Sequence, residues 1–72
     1  MGELTKLQCA VLDFEAIGWM QAGPKEAAIR EQFGWSSTDY YQALNALLDV
    51  PAALAYSPVL VNRLRRARGR RR

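Results

Sequence analysis

The stretch AIREQFGWSSTDYYQAL, from Ala28 to Leu44, decides the fold. Ile29 and Phe33 stand four residues apart, one helical turn, and mark the inner face of a helix that ends at Gly34. Glycine enters the left-handed conformation without steric cost, so it suits the residue just past a helix end. Trp35 follows as an apolar plug for the turn. Ser36 is a good N-cap for a new helix, and Asp39 in its first turn faces the positive helix end. Tyr40 and Leu44 come four and eight residues after that cap, and Leu47 and Leu48 extend the same stripe. This predicts a second helix from Ser37 to about Asp49. Helix, glycine turn, apolar plug, cap and helix together form a helix-turn-helix.

The flanking sequence supplies the rest of a helical domain. Thr5-Lys6-Leu7-Gln8 has the form of a capping box. Leu7, Val11, Phe14 and Ile17 then recur at helical spacing, with Ala10 and Trp19 nearby, and predict a helix that ends near Gly23. Gly23-Pro24 reads as a break, with a second helix from Pro24 to about Phe33. Its inner residues are expected to be Ala28, Ile29 and Phe33, with Lys25, Glu26, Arg30 and Glu31 in water. Pro51 stops the third helix or opens a short successor through Leu54, and Ser57-Pro58 starts a last helix carrying Val59, Leu60, Val61 and Leu64. The predicted fold is all-α: a small helix-turn-helix domain of four to five short helices with a basic C-terminal arm. The expected division is a domain over residues 1–66 and a flexible arginine-rich tail over 67–72, with Gly69 marking the loss of helix.

Charge is divided along the chain. Up to residue 62, Lys6, Lys25 and Arg30 stand against seven carboxylates, a net −4; Arg63, Arg65, Arg66, Arg68, Arg70, Arg71 and Arg72 then bring the chain to +3. An acidic body with one concentrated basic arm points to a directed contact with a polyanion, most commonly nucleic acid.

Composition excludes several alternatives. With no His and a single Cys, neither a disulfide within the chain nor a Cys/His zinc site is available. Cys9 reads as an inert, partly buried thiol. The chain has no glycine-rich phosphate loop and no nucleophile–base arrangement, so it is expected not to be an enzyme, to bind no cofactor or metal, and to have no small-molecule substrate. No apolar run is long enough to span a bilayer. The location expected is cytoplasmic, at the nucleoid.

In a helix-turn-helix, the N-terminal part of the second helix enters the DNA major groove. The residues expected to face DNA are Ser36, Ser37, Thr38, Asp39, Tyr41, Gln42 and Asn45. Gln and Asn pair bidentately with adenine, Ser and Thr bond bases or phosphates, and Asp accepts from cytosine. Arg63, Arg65 and Arg66 are assigned to phosphates from the last helix. Arg68, Arg70, Arg71 and Arg72 are assigned to the backbone or a narrowed minor groove. Trp19, Trp35 and Tyr40 fall on apolar stripes and are read as core. The expected partner is double-stranded DNA, with a homodimer on DNA left open. The rival expectation is a protein-interaction module, an accessory of RNA polymerase or a sigma factor.

The order of the motif resembles the helix-turn-helix of bacterial sigma factors and of many small repressors. The longer run Trp35–Leu54, with its S-x-T-x-Y-Y-Q-x-L-N-x-L-L-D-x-P core, and the ending Leu60-Val61-Asn62-Arg63-Leu64-Arg65-Arg66 resemble a family of short actinobacterial helix-turn-helix proteins. Asp13-Phe14-Glu15 and Gly23–Ile29 fit the same family. The resemblance spans about Leu4 to Arg68. It implies a small nucleoid-associated DNA-binding protein with broad influence on transcription. Relatives often carry Arg where this chain has Asp39, which alters the contact expected there. Such proteins also occur in actinobacterial phages, so the resemblance leaves a phage origin open.

Overall fold

The computed structural model describes residues 3–70, without the side chain of Arg70. Its elements are α1 (Lys6–Ala16), α2 (Ala22–Phe33), α3 (Ser37–Leu48), α4 (Pro51–Tyr56) and α5 (Pro58–Arg70). Among the described residues there is no strand, so the protein is all-helical as expected. No described helix is long and apolar enough to cross a membrane.

Local chemistry sets most of the helix boundaries. The Thr5 hydroxyl accepts from the Gln8 amide at 3.0 Å and the Gln8 side chain accepts from the Thr5 amide at 2.8 Å, completing the capping box. Gly34 ends α2 at φ 72°, and its N–H donates to the Arg30 carbonyl at 2.9 Å. Ser36 then caps α3 by accepting from the Asp39 amide at 3.2 Å. Pro51 and Pro58 open α4 and α5, where a first-turn N–H has no helical partner in any case.

Three boundaries differ from the sequence expectation. The first helix stops at Ala16, not near Gly23, because Gly18 takes the left-handed turn at φ 76°. The chain then folds back so that the Trp19 indole N–H donates at 3.0 Å to the Phe14 carbonyl, which also accepts from the Ile17 amide at 3.3 Å. Gly23 and Pro24 accordingly lie inside the first turn of α2. At the other end α5 runs through Gly69 to Arg70, so helix continues past the expected start of the tail at residue 67; Arg71 and Arg72 lie outside the described residues.

Helix α3 is central and packs against each of the other four helices. Its stripe of Tyr40, Leu44, Leu47 and Leu48 is buried as predicted, against Val11, Leu12 and Phe14 of α1, Ile29 of α2, Ala53 of α4 and Leu60 and Val61 of α5. Leu7 and Ile17, assigned to the inner stripe of the first helix, are exposed. Fully buried Leu12 takes up that role.

Aromatic rings gather around Phe14. Trp19, Tyr40 and Phe33 lie with ring centroids 4.8, 5.4 and 5.5 Å from it, the last two edge-on. Trp35 packs against the edge of this core and is not fully buried. It is half-buried, stacks on Phe33 at 5.1 Å, and flanks a shallow apolar groove beside Leu7, Val11, Ala43 and Leu47. The fully buried ring after the turn is Tyr40, which has no accessible surface.

Tyr40 also carries the polar link of the core. Its hydroxyl donates to Glu15 Oε1 at 2.7 Å, and Lys25 Nζ pairs with the same oxygen at 2.9 Å. Sequence alone places Lys25 in water, yet its side chain is only 11% exposed and that of Glu15 only 13%. Burial alone would lower the Lys25 pKa, but hydrogen bonding to Tyr41 and Glu15 holds it above its ordinary value. Burial, then the bond to Glu15, pushes the Tyr40 phenol well above its usual range.

Two outcomes follow for stability. Tyr40→Phe keeps the ring and removes only the hydroxyl, and is expected to cost about 1.5–3 kcal/mol, the range for a hydrogen bond to a charged group; denaturant unfolding reads it directly. The second concerns pH. Both raised groups keep their protons longer in the folded state than in the unfolded state. Their contribution is therefore complete below the ordinary pKa of 10.0 for the phenol and 10.5 for the amine, and is lost as pH rises through the folded values. The melting temperature should fall above about pH 10, and Tyr40→Phe should make that fall shallower.

Candidate nucleic-acid interface

The outward face of α3 follows from what its inward face buries. With Tyr40, Leu44, Leu47 and Leu48 turned to the core, a period of 3.6 places Thr38, Gln42 and Asn45 on successive turns of the opposite side, and all three are exposed. Asp39 and Tyr41 are exposed on the two flanks of this face. Ser36 is exposed, with its hydroxyl already accepting from the Asp39 amide. Ser37 is half-buried at the start of the helix. The structure thus brings Thr38, Asp39, Tyr41, Gln42 and Asn45 onto one surface, leaves Ser36 beside it as a cap, and turns Ser37 partly inward.

Tyr41 is held more firmly than an exposed residue needs to be. Its ring meets Tyr40 edge-on at 5.1 Å, and Lys25 Nζ lies 4.9 Å from its centroid. The lysine that neutralises Glu15 therefore also braces the edge of the outward face.

The surface of α3 carries no cation. Within α3 the one carboxylate is Asp39, and a second, Asp49, caps its end. Positive charge comes to it from α5, and the arginines there divide by their partners. Arg65 Nε donates to the Leu48 carbonyl at 2.7 Å and is half-buried. It satisfies a carbonyl at the negative end of α3, where a cation is favoured. Through Nε the side chain fastens α5 to α3. Arg68 Nη2 pairs with Asp49 Oδ1 at 3.1 Å, and this pair is exposed. The Arg68 guanidinium holds the Asp49 carboxyl below its usual range.

Arg63 and Arg66 are exposed on the side of α5 away from Leu60, Val61 and Leu64. They face solvent without the partners that occupy Arg65 and Arg68. The side chain of Arg70, and Arg71 and Arg72 entirely, lie outside the described residues. Between α3 and α5 runs a cleft of about 400 Å³ lined by Tyr41 and Asn45 on one wall and Leu64 and Arg68 on the other. Arg68 is thus the arm residue that the fold brings beside the outward face of α3.

Sequence reasoning does not find Glu15, Lys25 and Asp49 as parts of this surface. The first two act across 10 and 25 residues, through Lys25 to Glu15 and Tyr40 to Glu15. Asp49 acts across 19 residues to Arg68. Helical spacing carries no signal at such separations.

Neither a curated protein nor a solved structure matches the chain. Over residues 3–72 its sequence matches the family described as "Protein of unknown function (DUF3263)", and the chain belongs to that family.

Proposed function

We propose that the protein is a sequence-preferring double-stranded DNA-binding protein, acting at the nucleoid and influencing transcription. One observation carries this reading: a glycine-turned helix pair holds Thr38, Gln42 and Asn45 outward on successive turns of a helix whose other face is fixed in the core. That geometry suits insertion of α3 into a major groove, with amide side chains able to read adenine.

Electrostatics divides the task. With Asp39 as its one carboxylate and no cation, α3 is poorly suited to holding phosphate by itself. Binding energy is assigned to the arginines of α5 and beyond, and discrimination to α3. A surface that reads bases without strong phosphate attraction gains contrast between right and wrong sequences, because sequence-independent affinity comes mainly from cations. The reading needs no catalytic group, metal or cofactor.

The rival reading, a protein-interaction module working beside RNA polymerase, draws on the exposed Ile17 and Met20 of the α1–α2 loop, 65% and 94% accessible. Selection of bound duplexes from a random library at near-physiological salt separates the two. A DNA reader enriches a motif by itself, whereas an accessory enriches none without polymerase.

Gln42→Ala is expected to lose discrimination between the selected and a scrambled duplex by about 1–3 kcal/mol, with the melting temperature unchanged. An equal loss on both duplexes would place Gln42 on the backbone instead. The double variant Arg63→Gln/Arg66→Gln should weaken binding to all duplexes alike. It should also flatten the log–log salt dependence by up to about 0.9 for each phosphate that is no longer neutralised. Unchanged affinity and slope would remove α5 from the interface.

A further inference from the structure

We propose that Asp49 is an internal stand-in for a DNA phosphate: in the free protein it holds the Arg68 guanidinium beside the cleft between α3 and α5, and DNA binding exchanges it for a backbone phosphate. This rests on the DNA-binding reading above and adds to it a named site and a competitor.

The argument begins with placement. Arg68 lines the cleft together with Tyr41 and Asn45, next to the outward face of α3. A phosphate flanking a major groove occupied by α3 would meet a guanidinium, a phenol and an amide there, all of which donate to phosphate oxygens. In the free protein that guanidinium is engaged at 3.1 Å by Asp49 Oδ1. Carboxylate and phosphate present the same acceptor pattern to arginine, so one replaces the other without a change of donor geometry.

The pair is also weak enough to exchange. Its side chains are 41% and 69% exposed, and exposed ion pairs contribute little in water. Its neighbour is built differently. Arg65, one turn earlier, is half-buried and fixed to the Leu48 carbonyl at 2.7 Å. Arg65 therefore keeps α5 seated on α3 while Arg68 changes partner. Arg68 and, more weakly, Arg65 hold the Asp49 carboxyl below its usual range.

The consequence is a lower affinity for every duplex. Every duplex that engages Arg68 must first displace Asp49, and the released carboxylate then faces the phosphate backbone. Specific and nonspecific DNA meet the same cost, so the exchange lowers affinity without altering the ratio between sequences, which is left to α3.

The test uses the full chain, short duplexes of selected and scrambled sequence, and a salt series read by fluorescence anisotropy. Asp49→Asn keeps a good helix-end residue and removes the competing charge; Asp49→Ser repeats the comparison with a second neutral residue should the first melt early. Either is expected to tighten binding about two- to five-fold on both duplexes, the range of an exposed ion pair. The log–log salt slope should steepen by up to about 0.9, since Arg68 no longer trades one anion for another. Arg68→Gln should weaken binding, and in that background Asp49→Asn should bring no gain beyond that of Glu26→Gln, which removes a like charge from the exposed side of α2. Weaker or unchanged binding by both Asp49 variants would overturn the exchange. So would a gain of the same size in the Arg68→Gln background. A wild-type protein that binds no duplex at any salt overturns the DNA-binding reading and this proposal together, whereas wild-type binding without Asp49–Arg68 coupling sinks the exchange alone.

Discussion

A single carboxylate holds the first three helices in place. Glu15, one residue from the end of α1, accepts from the Tyr40 hydroxyl of α3 and pairs with Lys25 of α2 through the same side chain. The C-terminal end of a helix is an unfavourable place for a negative charge, so α1 by itself gains nothing from Glu15. Its value is tertiary, because one nearly dry anion with two donors fixes the positions of the helices that bring them. The ring of Tyr40 packs against Phe14 on one side, while Lys25 lies 5.5 Å from its centroid. The orientation of α3 is therefore set at its first buried residue, before the leucine stripe begins. In a domain this small, where core burial alone leaves a narrow margin, a polar link that specifies geometry complements the apolar packing that supplies most of the stability.

The far end of α3 is fixed by different chemistry. Leu48 offers a carbonyl that the helix itself cannot use, and Arg65 of α5 takes it. Between Tyr40 and Leu48 the helix is thus held at both ends by charge-assisted hydrogen bonds and along its length by Leu44 and Leu47. These links from the body hold its outward face in position. A surface that displays Thr38, Gln42 and Asn45 on a rigid helix is the requirement for reading bases, where misplacement of about an ångström breaks bidentate geometry.

The helical class, the turn at Gly34, the cap at Ser36, the capping box at Thr5 and the buried stripe of α3 are all legible in the sequence. Each depends on residues within a turn or two of one another. Sequence and structure part where two local signals compete or where a partner lies far away. The Gly23-Pro24 pair reads as the end of the first helix, while the structure ends it before Gly18. The fold selects Gly18 because Trp19 can then cover Phe14 and bond its carbonyl. Trp35 looks like the plug because it follows the turn and is large. Tyr40 takes the buried place, and Trp35 is left stacked on Phe33 at the rim.

The candidate interface shows the same division. The reading residues of α3 follow from periodicity, since burying one face of a helix exposes the other. The arginines of α5 are alike in sequence, all ionised and all within ten residues, and composition alone assigns them one role. Tertiary structure separates them: Arg65 ties α5 to α3, Arg68 is paired with Asp49 beside the reading face, and Arg63 and Arg66 face open solvent. By itself the sequence determined the helices, the turn and the split between an acidic body and a basic arm, because caps, propensities and charge counts are local properties. Only the tertiary structure decided which charges are engaged inside the fold and which are free for a partner, because that depends on what meets each side chain across 10 to 25 residues of chain.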